Sequence, residues 1–235
     1  MHNPSHRSAA AVSAPARYNM YGFIHKALRA FMADTLLRLG RMDLADAGEV
    51  DATLQQAREL LGFCRVHLDD ENRFVHPALE ACEPGSAARI AGEHVHHEED
   101  IALLLEQIDA LEHRHADEAA NGLYRRFAVF VGGNFEHMEY EEREHNAVLW
   151  AHYSDAQLRA IEGALVASLP PQASALGLRW MLPSIAHAER VALLGGIRAH
   201  APAVAFDGAL ALARAHLDAH DWQKLSAALA LPQAA

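Results

Sequence analysis

The sequence predicts an all-α fold: an antiparallel up-down four-helix bundle followed by a C-terminal helical extension. Three observations carry that expectation. Alanine and leucine dominate, glycine and proline are sparse inside the periodic stretches, and runs of β-branched residues are missing, a composition that favours helix. Four long stretches repeat apolar residues at spacings of three and four, which lays one apolar stripe along each helix. Breakers stand between them, at Gly40, at Glu83-Pro84-Gly85-Ser86 and around Asp117-Glu118. With 235 residues, 51% of them hydrophobic, the chain can bury a substantial core.

Residues 1–17 are rich in Ser, Ala, Pro and His without periodicity and read as a disordered tail, with His2 and His6 exposed in it. Residues 18–150 read as the bundle and 151–235 as the extension. The first helix is expected over 18–39, with the inward stripe Tyr21, His25, Leu28, Met32, Leu36, Leu39. The second is expected over 50–80, with Leu54, Ala57, Leu60 or Leu61, Cys64, His67, Glu71, Phe74 and Leu79 inward. The third, over 87–115, turns Ile90, His94, His97, Ile101, Leu104, Ile108 and Leu111 inward and leaves His96, His113 and His115 on the surface. The fourth, over 118–150, turns Leu123, Phe127, Phe130, Asn134, His137, Glu141 and Val148 inward; Gly132-Gly133, one turn before His137, permit close packing or a kink.

The extension opens on a capping box at Ser154-Asp155-Ala156-Gln157. Short helices are expected over 154–168, 173–182, 184–194, 203–217 and 222–229, punctuated by Pro170-Pro171, Pro183, Gly195-Gly196 and Pro202. Their apolar residues suit packing on the bundle or a homodimer surface. His187, His200, His216 and His220 lack carboxylates at converging spacing and read as structural. No phosphate-binding glycine loop or nucleophile elbow occurs.

Polar residues interrupt the stripes in a repeated pattern. His67-x-x-x-Glu71 returns as His137-x-x-x-Glu141; His25 stands 42 residues before the first and His94 stands 43 before the second. Positions i and i+4 of a helix share a face, so each pair aims an imidazole and a carboxylate at one point. In an up-down arrangement all six residues fall at one level, to within a few ångströms along the helix axes. An unpaired carboxylate in an apolar interior costs several kcal/mol, and no Arg or Lys interrupts these stripes. A cation is therefore expected among His25, His67, Glu71, His94, His137 and Glu141. Four imidazoles and two carboxylates without a thiolate suit iron or manganese, and less specifically zinc; two metals, each with two His and sharing both Glu, would keep positions open for O2, NO or peroxide.

The remaining composition narrows the partners. A formal net charge of −11 disfavours nucleic acid and anionic membranes. The chain has no long apolar run for a membrane span and no signal-peptide core, and Cys64 and Cys82 are not in C-x-x-C spacing, so a cytoplasmic protein with reduced thiols is expected.

The motifs Ile24-His25-Lys26-Ala27-Leu28, His67-x-x-x-Glu71 with Arg73-Phe74-Val75-His76-Pro77-Ala78-Leu79, Glu93-His94, and His137-x-x-x-Glu141-Glu142 resemble the bacterial hemerythrin-like (HHE cation-binding) proteins, in the branch with four His and two Glu ligands. The resemblance covers about residues 18–150. It implies a non-heme di-iron centre in an antiparallel four-helix bundle, binding or responding to O2, NO or peroxide. Alternatively it implies iron storage, or iron and redox sensing through a protein partner. Oxygen-carrying relatives have a second His four residues after the third-helix ligand; here that residue is Glu98, with His97 at i+3. That departure speaks against reversible O2 carriage; a seventh protein ligand is not expected, and of the two candidates, His97 and Glu98, His97 points inward better. Tyr21, one turn before His25, is expected to hydrogen-bond a bound ligand or to pack in the core.

Overall fold

All regular elements are helices in the computed structural model, which describes residues 17–113 and 116–231. The expected tail up to residue 16, with His2 and His6, and the helix end at His115 lie outside the described residues. Arg17 does not belong to a loose tail: its guanidinium donates to the Asp155 carboxylate and to the Trp150 and Tyr153 carbonyls.

Helix α1 (Gly22–Arg41) buries His25, Leu28, Met32, Thr35 and Leu39 along one stripe. The Asp46 carboxylate accepts from the Glu49 N–H and starts α2 (Ala47–Asp70), a cap worth about 1 kcal/mol. The helix then passes without a break through a π-helical turn (Glu71–Val75) into α3 (His76–Cys82). After the Gly85 turn, α4 (Ala88–His113) buries Ile90, His94, His97, Ile101, Leu104, Ile108 and Leu111. Helix α5 (Asp117–Tyr140) repeats the interruption, entering a second π turn (Glu141–His145) before α6 (Asn146–His152).

Both π turns begin at a glutamate of the H-x-x-x-E pairs. The backbone N–H of His76 bonds to the Glu71 carbonyl, and that of Asn146 to the Glu141 carbonyl. An i→i+5 bond fits one extra residue into a turn, so the buried stripe shifts by one position downstream. Phe74, expected inward, is only half-buried, and Val75 and His76 are buried instead. Val148 likewise yields its place to Leu149, which is fully buried.

The long helices close a ring: α1 packs on α2 and α5, and α4 packs on α2 and α5. Leu28, Phe31, Leu54, Leu61, Leu104 and Phe127 fill its apolar centre. Gly133 is the point where α5 comes close to the His97 ring.

Among the described residues the extension is five helices. Ser154 and Gln157 cap α7 (Asp155–Ser168) reciprocally, and Pro170-Pro171 opens α8 (Pro171–Ser184). Helices α9 (His187–His200), α10 (Ala203–His216) and α11 (Ala219–Ala228) follow. Pro183 lies in the last turn of α8, and α9 runs through Gly195-Gly196 rather than stopping at Leu194. Leu194 and Ile197 both join the extension's own apolar cluster, and that packing outweighs the roughly 1 kcal/mol that each glycine costs a helix. Helix α8 lies on α1, where Trp180 stacks on Phe31 with ring centroids 4.1 Å apart. No helix among the described residues is long and apolar enough to cross a membrane.

Candidate metal centre

The structure brings all six predicted side chains together. His25 comes from α1, His67 from α2, His94 from α4 and His137 from α5; Glu71 and Glu141 are the first residues of the π turns. Five are buried to 2% exposure or less, and the His67 side chain keeps 12%. Two clusters form, His25–His67–Glu71–Glu141 and Glu71–His94–His137–Glu141, each offering ligand atoms that lie within 4.8 Å of one another. Both carboxylates belong to both clusters. Glu71 Oε1 faces His67 Nε2 at 3.3 Å and His25 Nε2 at 3.8 Å, and its Oε2 faces His94 Nε2 at 3.4 Å. Glu141 Oε2 stands 3.5 Å from both His25 Nε2 and His137 Nε2.

Three imidazoles are held from behind. His25 Nδ1–H donates to the Glu142 carboxylate at 3.0 Å, itself held by Arg29. His94 Nδ1–H donates to Asn72 Oδ1 at 2.9 Å, and His137 Nδ1–H to Glu93 at 3.0 Å. A neutral imidazole that donates through Nδ1 presents a lone pair at Nε2. His94 and His137 thus turn two lone pairs toward each other at 3.2 Å, where they repel unless a cation or a proton sits between them. Two nitrogens at about 2.0–2.1 Å from one metal ion have that separation when they subtend an angle of about 100°. His25 Nε2, His67 Nε2 and all four carboxylate oxygens of Glu71 and Glu141 are buried without a hydrogen-bond partner.

Electrostatics agree with this geometry. Burial lowers His67 to about 4, against the raising charge of Glu71, and lowers His137 to about 3. These rings are neutral donors near pH 7. Burial and then the charge of Glu71 push the Glu141 carboxyl well above its usual range. Burial pushes Glu71 the same way, but His67, His25 and His94 outweigh it and hold that carboxyl low. Without a cation the pair of glutamates accommodates one negative charge and one proton, the usual outcome for two close carboxyls.

Sequence reasoning missed two residues. His76 and His145 are buried, have unpartnered Nε2 atoms, and form a third cluster with Glu141. The His76 ring stacks on His94 at 5.0 Å. His145 continues the spacing His137, Glu141, His145, so it was open to discovery by periodicity; His76 stands five residues after Glu71 and comes inward only through the π turn. The seventh-ligand candidates do not join either cluster. Glu98 is drawn outward to Arg65 at 2.8 Å, and His97 packs beside Phe130 and His137. The Tyr21 hydroxyl lies in a hydrogen bond of 3.1 Å with His145 Nδ1, its ring 5.1 Å from that of His25; burial, then Glu141 and Glu71, keep its phenol protonated. His96 and His113 are exposed as expected, as are His200, His216 and His220, and His187 is half-buried.

Comparison with protein-family models, with curated proteins and with solved structures found no match.

Proposed function

We propose that this chain is a hemerythrin-like non-heme di-iron protein, in which α1, α2–α3, α4 and α5–α6 form an antiparallel four-helix bundle around the metals. One observation carries the reading: six buried side chains from four helices converge, the Nε2 atoms of His25 and His67 and all four oxygens of Glu71 and Glu141 have no hydrogen-bond partner, and His94 and His137 face only each other's Nε2. Leaving so many polar atoms unpaired in an apolar interior costs far more than a fold tolerates. His25 and His67 would hold one ion, His94 and His137 the other, and Glu71 and Glu141 would serve both. The donor set fits iron or manganese, and zinc less specifically.

A bound iron pair supplies ligand exchange and redox chemistry toward O2, NO or peroxide. The chain's own residues do the rest. Glu142, Asn72 and Glu93 fix three rings with Nε2 inward, which orients the donors and raises their basicity. Leu28, Phe31, Leu61 and Leu104, all buried, close the core against water. Tyr21 holds a proton beside His145.

Metal analysis of protein loaded with ferrous iron and then oxidised in air tests this. Two ions per chain are expected, with near-ultraviolet charge-transfer absorption, and Glu71→Ala, which removes a carboxylate from both clusters, is expected to lose both. Protein that stays folded and takes up no iron overturns the reading. The packing of α8 on α1, the helix that carries His25, favours one variant of it, in which the extension reports the metal state to a partner. X-ray scattering profiles that are identical for metal-free and loaded protein would rule that variant out.

A further inference from the structure

The repeat that builds the centre is broken at one position. Glu142, next to Glu141, holds His25, and Asn72, next to Glu71, holds His94. Glu93, just before His94, holds His137. The corresponding residue, just before His25, is Ile24. His67 therefore meets no carboxylate from that position. It borders a cavity of about 300 Å³ instead, which Ile24 also lines. Phe23 and Phe63 of α1 and α2 line it together with Leu165, Leu178 and Leu193 of α7, α8 and α9, and His67 and Glu71 border it as well.

We propose that this chamber binds a neutral, apolar organic molecule of about ten non-hydrogen atoms, with one end at the His67–Glu71 edge of the centre. The volume corresponds to about ten water molecules of liquid and sits at the lower end of small-molecule pockets. The lining is chiefly aliphatic and aromatic side chains. Its charged groups, among the described residues, are the acids Asp70, Glu71 and Glu162, with no Lys or Arg. An anionic headgroup would enter without a counter-charge and beside like charges. An ammonium headgroup would lose its hydration against apolar walls, and Glu162 is already engaged by the Tyr18 hydroxyl. A hydroxyl or other uncharged polar end fits the inner edge. The chamber exists because the extension roofs the one imidazole that the repeat leaves unheld.

Calorimetric titration of the full chain with 1-octanol, octanoate and octylammonium tests the proposal. One octanol per chain is expected, bound at least about tenfold more tightly than either charged analogue. Ala173→Trp, which fills the chamber from α8, is expected to weaken octanol at least about tenfold. Along a series of normal alcohols on the unaltered protein, affinity is expected to peak near this length and then fall, a readout that needs no variant. In iron-loaded protein, octanol is expected to shift the near-ultraviolet absorption. No octanol binding, octanoate or octylammonium binding as tightly, or undiminished binding by a folded Ala173→Trp protein overturns the proposal. So does a chain starting at Arg17 that binds octanol when the full chain does not, which would assign the chamber to the chain's own first residues. Only the position of the inner end rests on the metal reading: octanol binding by protein that takes no iron defeats that reading and leaves the chamber, and iron uptake without octanol binding does the reverse.

Discussion

His67 and His137 hold matching places in the two halves of the centre, one helical turn before Glu71 and Glu141, yet their surroundings differ. His137 is anchored through Nδ1 to Glu93, which Arg89 holds in turn, and keeps 2% side-chain exposure. His67 keeps 12% and faces the chamber under the extension. Burial is the largest cause of a lowered pKa at both rings. The difference shows that a repeated ligand pattern constrains what points inward and leaves the residues behind it free to diverge. A ring fixed by charge suits permanent holding of an ion, and a ring beside a chamber suits access to one.

The largest effect is expected from removing the anchor. On the proposed two-ion reading, Glu93→Ala frees His137 and should lower affinity for the ion of the α4–α5 half by about 10–100-fold, while the other ion stays in place; a competitive chelator titration reads the two steps separately. If both ions weaken equally, the halves are not distinct. The reverse change should bring the halves together. Ile24→Glu supplies the carboxylate that the repeat lacks behind His67 and should strengthen the α1–α2 ion by about tenfold in the same titration, at the loss of octanol binding.

The remaining effect is on stability and concerns the roof. Burial raises Glu162 from its ordinary 4.5 to about 7. An acid whose pKa is higher folded than unfolded leaves stability at its full value below about pH 4.5. Stability then falls as pH rises toward 7 and is flat above, because the unfolded chain releases the proton first. Glu162→Gln lacks that fall. It should match the unaltered protein at pH 4 and exceed it at pH 8, by on the order of 3 kcal/mol, as read by urea unfolding at the two pH values. The same stability difference at both values would remove Glu162 from the buried roof.

The first two long helices end within a few residues of where the breakers place them, and Glu71 and Glu141 face inward as their spacing from His67 and His137 requires. Phe74 and Val148 mark where that reading stops, since Phe74 lies inside the first π turn and Val148 just past the second. An α-helical period counted through the turn is one residue out of step beyond it, and His76 is hidden for the same reason. Glu98 was a candidate by spacing alone, and its actual position is set by Arg65 on another helix.

By itself, the sequence determined the helices, their buried faces and the six polar interruptions. These are local properties, in which a residue three or four positions away decides which side of a helix is apolar. Only the tertiary structure decided that Glu93 and Glu142 would hold rings 44 and 117 positions away, that His76 would come inward, and that α7, α8 and α9 would roof His67. Those outcomes depend on which helices meet and at what register, and that is settled by packing between segments far apart in the chain.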